Sequence, residues 1–221
     1  MSTSASSNAK IEWGPRIDLN TLKDVFAPQT VPTFTPPRPG IDNLGISSTD
    51  TFMIPGMGEF IVDFKGYVRV ARSVPTTDEW NTSEVYTNLI EMRMRGSAEG
   101  IGEIEVTLNS ECLSTGMLKT PFADMACEQP EKACRMAVSA VFDLPKMGVQ
   151  LVNKEPILLT IDNVRAIPPA GNPGKGQIYQ LLPLYNAKDL DGPPAAYITA
   201  LKFVMGTYLT ESEVDALRKA S

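Results

Sequence analysis

The chain has 221 residues, 43% of them hydrophobic, enough to bury a core without disulfide or metal support. Its 20 Lys and Arg against 26 Asp and Glu leave a net charge of −6, which repels a phosphate backbone; with no basic cluster interleaved by aromatics, a nucleic-acid partner is excluded. No apolar run reaches the roughly 20 residues of a membrane helix, and residues 1–10 lack a basic start and an apolar stretch, so neither membrane nor export is expected and the protein reads as cytoplasmic.

Residues 1–40 read as a disordered or extended arm. It holds one short helix at 17–26, with Asp18 as N-cap and Leu19, Leu22 and Phe26 on one face. Beyond it Pro28, Pro32, Pro36, Pro37 and Pro39 fix φ and remove backbone donors, which rules out helix and central strand. Val31 and Phe34 give the arm apolar anchors, against its own domain or a neighbouring subunit, so a homo-oligomer built through the arm is an expectation.

Residues 41–221 read as a single β domain. From Gly58 the apolar positions Phe60, Val62, Phe64, Val68 and Val70 alternate with Asp63, Lys65 and Arg69. A second run over 85–94 sets Ile90, Met92 and Met94 against Glu91, Arg93 and Arg95. Across the glycine-bearing connection 97–102, Ile104, Val106 and Leu108 alternate with Glu103, Glu105 and Thr107, predicting a hairpin with solvated Glu–Arg pairs between its strands. Residues 109–129 suggest loops around a short strand near 113–118, and 134–144 predict a strand closed by Pro145.

A strand at 156–164 with apolar character on both sides follows, then a Pro- and Gly-rich loop at 167–176 and strands at 177–185 and 196–209. Thr210 ahead of Glu211, Ser212 and Glu213 is a capping-box signature for a final helix, with Val214 and Leu217 as its inward stripe. The pattern predicts an antiparallel β sandwich or barrel of about seven to nine strands, with the Pro-rich N-terminal arm and the short C-terminal helix.

The complete absence of histidine removes the usual general base near neutral pH and the commonest metal ligand. A Ser-His-Asp triad, a Cys-His pair and a His-based metal site cannot be assembled from this chain. Cys112, Cys127 and Cys134 lack the paired spacing of a zinc site and read as reduced thiols whose role is packing. Gly174-Lys175 mimics the end of a phosphate loop, but Pro169 stands where its first Gly belongs and Gly176 where Ser or Thr should follow. No metal and no cofactor are expected.

Carboxylates remain as acid–base candidates: Asp63 and Glu105 within strands, and Asp162 on a mixed strand face beside Asn163. A carboxyl turned into an apolar interior has its pKa raised, which is how a histidine-free cavity can handle protons. Ten methionines, among them Met53, Met57, Met92, Met94, Met136 and Met205, add side chains suited to adaptable apolar pockets. Two functions follow. One is a non-catalytic binding or assembly module that takes a small apolar ligand and self-associates; the other is a cavity enzyme of isomerase, cyclase or lyase type using Asp or Glu.

Overall fold

The computed structural model describes residues 38–77, 82–121, 133–162, 174–178 and 181–219; the arm's predicted helix at 17–26 lies outside them, as does Cys127. The described chain is mostly β, in chain order β1 (Gly40–Ile54), β2 (Gly58–Arg72), β3 (Thr76–Thr77), β4 (Thr82–Ala98), β5 (Gly102–Leu108), β6 (Ser114–Pro121), β7 (Ala133–Val138), β8 (Ala140–Leu144), β9 (Val149–Val152), β10 (Ile157–Asp162), β11 (Gly174–Ile178), β12 (Leu182–Asn186) and β13 (Ala196–Tyr208), followed by helix α1 (Glu211–Lys219).

Several of these segments are halves of one longer strand. β5 and β6 both pair with β4, β7 and β8 with β6 and β5, β9 and β10 with β8 and β7, and β11 and β12 with β10 and β9. The order is therefore eight staves, β1, β2, β4, β5/β6, β7/β8, β9/β10, β11/β12 and β13, each antiparallel to its neighbour in sequence. β13 pairs back onto β1 from Leu44↔Tyr208 to Met53↔Tyr197, which closes the ring. This is an up-and-down barrel rather than a sandwich. Closure also leaves these eight staves without a free edge among the described residues.

The broken staves are mended by side chains. Asn153, between β9 and β10, accepts from the Ala140 amide at 2.8 Å and donates to the Val138 carbonyl at 3.1 Å. Ser114 Oγ accepts from the Ser139 amide at 2.9 Å, where β7 gives way to β8. Both satisfy backbone groups that the ladder drops in the interior.

The barrel's two ends differ. At one end three of the connections are tight, 55–57 between β1 and β2, 99–101 between β4 and β5, and the 3-10 turn Pro145–Met147, while the fourth, 187–195 between β12 and β13, is longer. Ile101 folds inward there and is fully buried. Phe52 packs against Phe64 at 6.1 Å and edge-on against Phe142 at 5.8 Å between ring centres, filling the adjoining interior. Side chains of this size contribute roughly 1.5–3 kcal/mol each when fully buried. At the other end the connections run long in sequence, over 73–81, 122–132 and 163–173.

Strand parity explains where the sequence expectations depart from the structure. In β4 the buried positions are Val85, Thr87 and Leu89, then Met92 and Met94, because the register with β2 slips between Arg69 and Val70. The bulge turns Ile90 outward, 43% exposed, where unbroken alternation had put it inside. Residues 174–176, expected in a loop, belong to β11 against β13, which also removes any strand-to-helix turn from Gly174-Lys175. Leu217 of α1 is exposed and Val214 alone is fully buried, so the helix presents one apolar residue rather than a stripe. Its capping box is present, with Thr210 Oγ1 accepting from the Glu213 amide and Glu213 accepting from the Thr210 amide.

Candidate functional site: the barrel interior

Among the described residues that line the interior cavity, one is ionisable, and β1 carries it. Its even positions Leu44, Ile46, Ser48, Asp50, Phe52 and Ile54 are all buried, so the parity that turns Phe52 inward also turns Ser48 and Asp50 inward. Asp50 lies opposite Val62 of β2 and Leu201 of β13 and is 3% exposed. Neither neighbour can hydrogen-bond to it. The Ser48 hydroxyl donates to its carboxyl, while Oδ1 has no partner.

Beside this carboxyl lies an interior cavity of about 50 Å³. Its walls are apolar apart from Ser48 and Asp50, with Met92, Met94, Phe64, Phe142, Leu201 and Phe203 among them. Burial pushes the Asp50 carboxyl up from 3.8 to about 7, against the smaller opposing effect of the Ser48 hydrogen bond. At neutral pH the group is divided between acid and carboxylate, a state that lets it donate or accept a proton without histidine.

The carboxylates singled out from sequence lie elsewhere. Asp63 is exposed on the outer wall, accepting from Thr49 Oγ1 at 2.6 Å. Glu105 is bound by Arg93 and by Arg95 at 3.3 Å, and the Arg93 hydrogen bond holds its carboxyl below the usual range. Asp162 ends β10 opposite Ala133, and its side chain is outside the described residues. Neither Asp63 nor Glu105 is among the described residues that line the cavity. Cys112 is exposed rather than packed, on the connection between β5 and β6. Among the described residues no group of three or more His, Cys, Asp or Glu side chains could hold a metal.

The outer wall carries a second arrangement of charges. The buried Tyr67 donates to Glu91, which also accepts from Arg218 Nε at 2.8 Å and from Arg69 at 3.4 Å. The Arg218 hydrogen bond leads in holding Glu91 down at about 2. With Asn43 and Arg69 both bonded to Glu211, the network pins both ends of α1 to the barrel. Two open grooves, about 880 and 620 Å³, are larger than the interior cavity; each is lined by both apolar and charged residues, and the larger has Leu159 in common with the cavity. Among the described residues three buried side-chain oxygens lack a partner, Asp50 Oδ1 in the interior and Thr87 Oγ1 and Asn88 Oδ1 beside the grooves; the interior is the stronger candidate because its atom belongs to an ionisable group among apolar side chains.

Fold and site together define a closed antiparallel β-barrel with an apolar interior and, among the described residues, one carboxyl lining its cavity. The chain belongs to the family of unknown function DUF6073, whose model matches residues 1–215. It is similar to the solved structure of DynF from the dynemicin biosynthesis pathway of Micromonospora chersina, at 59% identity over 85% of this chain and 89% of that one, with a TM-score of 0.73. No curated protein matches it. No helix of the described residues is long and apolar enough to cross a membrane.

Proposed function

We propose that this protein is a non-catalytic container for a small apolar molecule, held inside the barrel. The observation that carries the reading is the interior cavity, walled mainly by apolar side chains, within a ring of this strand number. Barrels of about eight strands have an interior just wide enough to be filled by side chains or to admit one small ligand. A volume of about 50 Å³ is below the roughly 300–1,000 Å³ of ligand pockets, so the site must expand on loading. Met92 and Met94 supply the means, being unbranched and able to change rotamer without a change of fold. DynF comes from a biosynthetic pathway, and the likeness to it supports an apolar biosynthetic intermediate as the cargo.

The same reading takes the protein as cytoplasmic and self-associating through its N-terminal arm, on the strength of the exposed free thiol at Cys112 and the Pro-rich sequence with Val31 and Phe34. A chain lacking residues 1–37 should elute from size-exclusion chromatography at a smaller assembly size than the full chain; identical elution would end the assembly part. The container itself is tested with the neutral apolar dye N-phenyl-1-naphthylamine, whose fluorescence rises on leaving water. Ala140 lines the cavity, so Ala140→Leu should fill it and weaken the dye by at least about tenfold. Undiminished binding to a folded Ala140→Leu protein would place the dye outside the barrel and refute the reading.

A second reading, a histidine-free isomerase, cyclase or lyase, is favoured by one observation: Asp50 is a carboxyl poised near 7 within an apolar enclosure. It requires solvent deuterium to enter a bound substrate at a carbon beside Asp50 and to stop doing so in Asp50→Asn. Deuterium uptake that persists in the variant would remove it.

A further inference from the structure

We infer that Asp50 Oδ1 is the anchor point of the interior site and that the molecule it holds is apolar but carries a hydroxyl group, its oxygen seated on that atom. The inference rests on the reading of the barrel as a container and names the ligand class it would take. Asp50 is 3% exposed, and its Oδ1 is without a hydrogen bond. Its cross-strand neighbours Val62 and Leu201 offer none, and Ser48 already serves the same carboxyl. Leaving a buried carboxyl oxygen bare costs free energy that an apolar side chain of similar size would not incur. A ligand that completes the bond recovers it, and so gains affinity that an equally sized hydrocarbon cannot.

The chemistry of the wall selects among polar groups. A carboxylate or phosphate would set a second negative charge against Asp50 in an enclosure whose other lining residues are Ser48 and apolar side chains. An ammonium group would meet a carboxylate that is itself only partly ionised near neutral pH, and would lose its own hydration to do so. A pure hydrocarbon leaves Oδ1 as it is. A hydroxyl both donates and accepts, so it satisfies Oδ1 whether or not the carboxyl carries its proton.

The test uses the full chain with methyl-13C methionine, titrated with 1-hexanol and, separately, with hexane. Met92 and Met94 line the cavity, and their methyl signals report entry. Asp50→Val should weaken 1-hexanol by at least about tenfold and hexane by less than about twofold. Equal losses for the two ligands overturn the anchor and leave the container standing. Methyl signals unmoved by either ligand overturn the container as well. In the unmodified protein, and so independent of how the variant folds, the Asp50 carboxyl 13C signal should move with 1-hexanol and not with hexane; equal displacement by both overturns the anchor.

Discussion

Asp50 makes stability depend on pH in a window where no other described group has a displaced pKa. With no histidine in the sequence, the described groups with displaced pKa values titrate elsewhere: Glu91, Glu105 and Glu213 are lowered, and Tyr67 and Tyr208 are raised above 10. The folded protein holds the Asp50 proton more tightly than the unfolded chain does, so unfolding releases it. Stability tied to this proton is complete below about 3.8, declines as the pH rises, and is gone above about 7. A carboxyl lifted from 3.8 to about 7 carries about 4 kcal/mol at 1.36 kcal/mol per pH unit, of which about 3 kcal/mol is lost between pH 5 and 8. Asp50→Asn keeps the shape and removes the titration. Urea unfolding at a series of pH values should therefore show the unmodified protein falling by about 3 kcal/mol from pH 5 to 8 while the Asn variant stays level. Parallel curves for the two proteins would refute the claim that this carboxyl is buried in the folded state.

On the outer wall, Glu91→Gln should cost about 1 kcal/mol after solvent screening and speed amide hydrogen exchange across Glu211–Lys219, since Glu91 is what holds Arg218. Because the Glu91 carboxyl is held down at about 2, its contribution is present above the ordinary glutamate range and lost as pH falls through about 2; exchange in α1 should rise with acid over that range. Gly66→Ala should lower thermal stability by at least about 3 kcal/mol, because a Cβ there runs into the Arg93 carbonyl oxygen and lies 2.7 Å from Met94 Cα where β2 and β4 approach. Cys112 should react with a maleimide in the native protein at the rate of an open thiol, and slow labelling would contradict its exposure.

Period-two patterning made the β class and most strands legible, because one wet face and one dry face impose alternation directly on the residue types. What escaped it was register. The bulge in β4 reverses which residues face in, so Val85 and Leu89 are buried on one side of it and Met92 and Met94 on the other, and no local feature of residues 85–94 marks the slip. The pairing of half-strands was hidden for the same reason: Asn153 and Ser114 stand in for missing ladder bonds, and as single polar residues they resemble loop positions.

The site was hidden by its own chemistry. Residues 40–54 include Gly, Ser, Thr and Asp, a composition of loops, and the strand they form went unread although its even positions run unbroken from Leu44 to Ile54. Two polar residues at Ser48 and Asp50 interrupt an apolar series that is otherwise continuous, and that interruption is the signal a stricter parity count would have caught. The candidates drawn from sequence, Asp63 and Glu105, sit at positions where a charge is expected on a solvated wall and costs nothing. Asp50 sits where a charge costs about 4 kcal/mol and where Leu or Val would pack. A fold that is consistent at every other level tolerates such a penalty at the place where it contacts something else, so the rule-breaking residue inside the barrel, rather than the rule-abiding carboxylates outside it, is where the ligand should be sought.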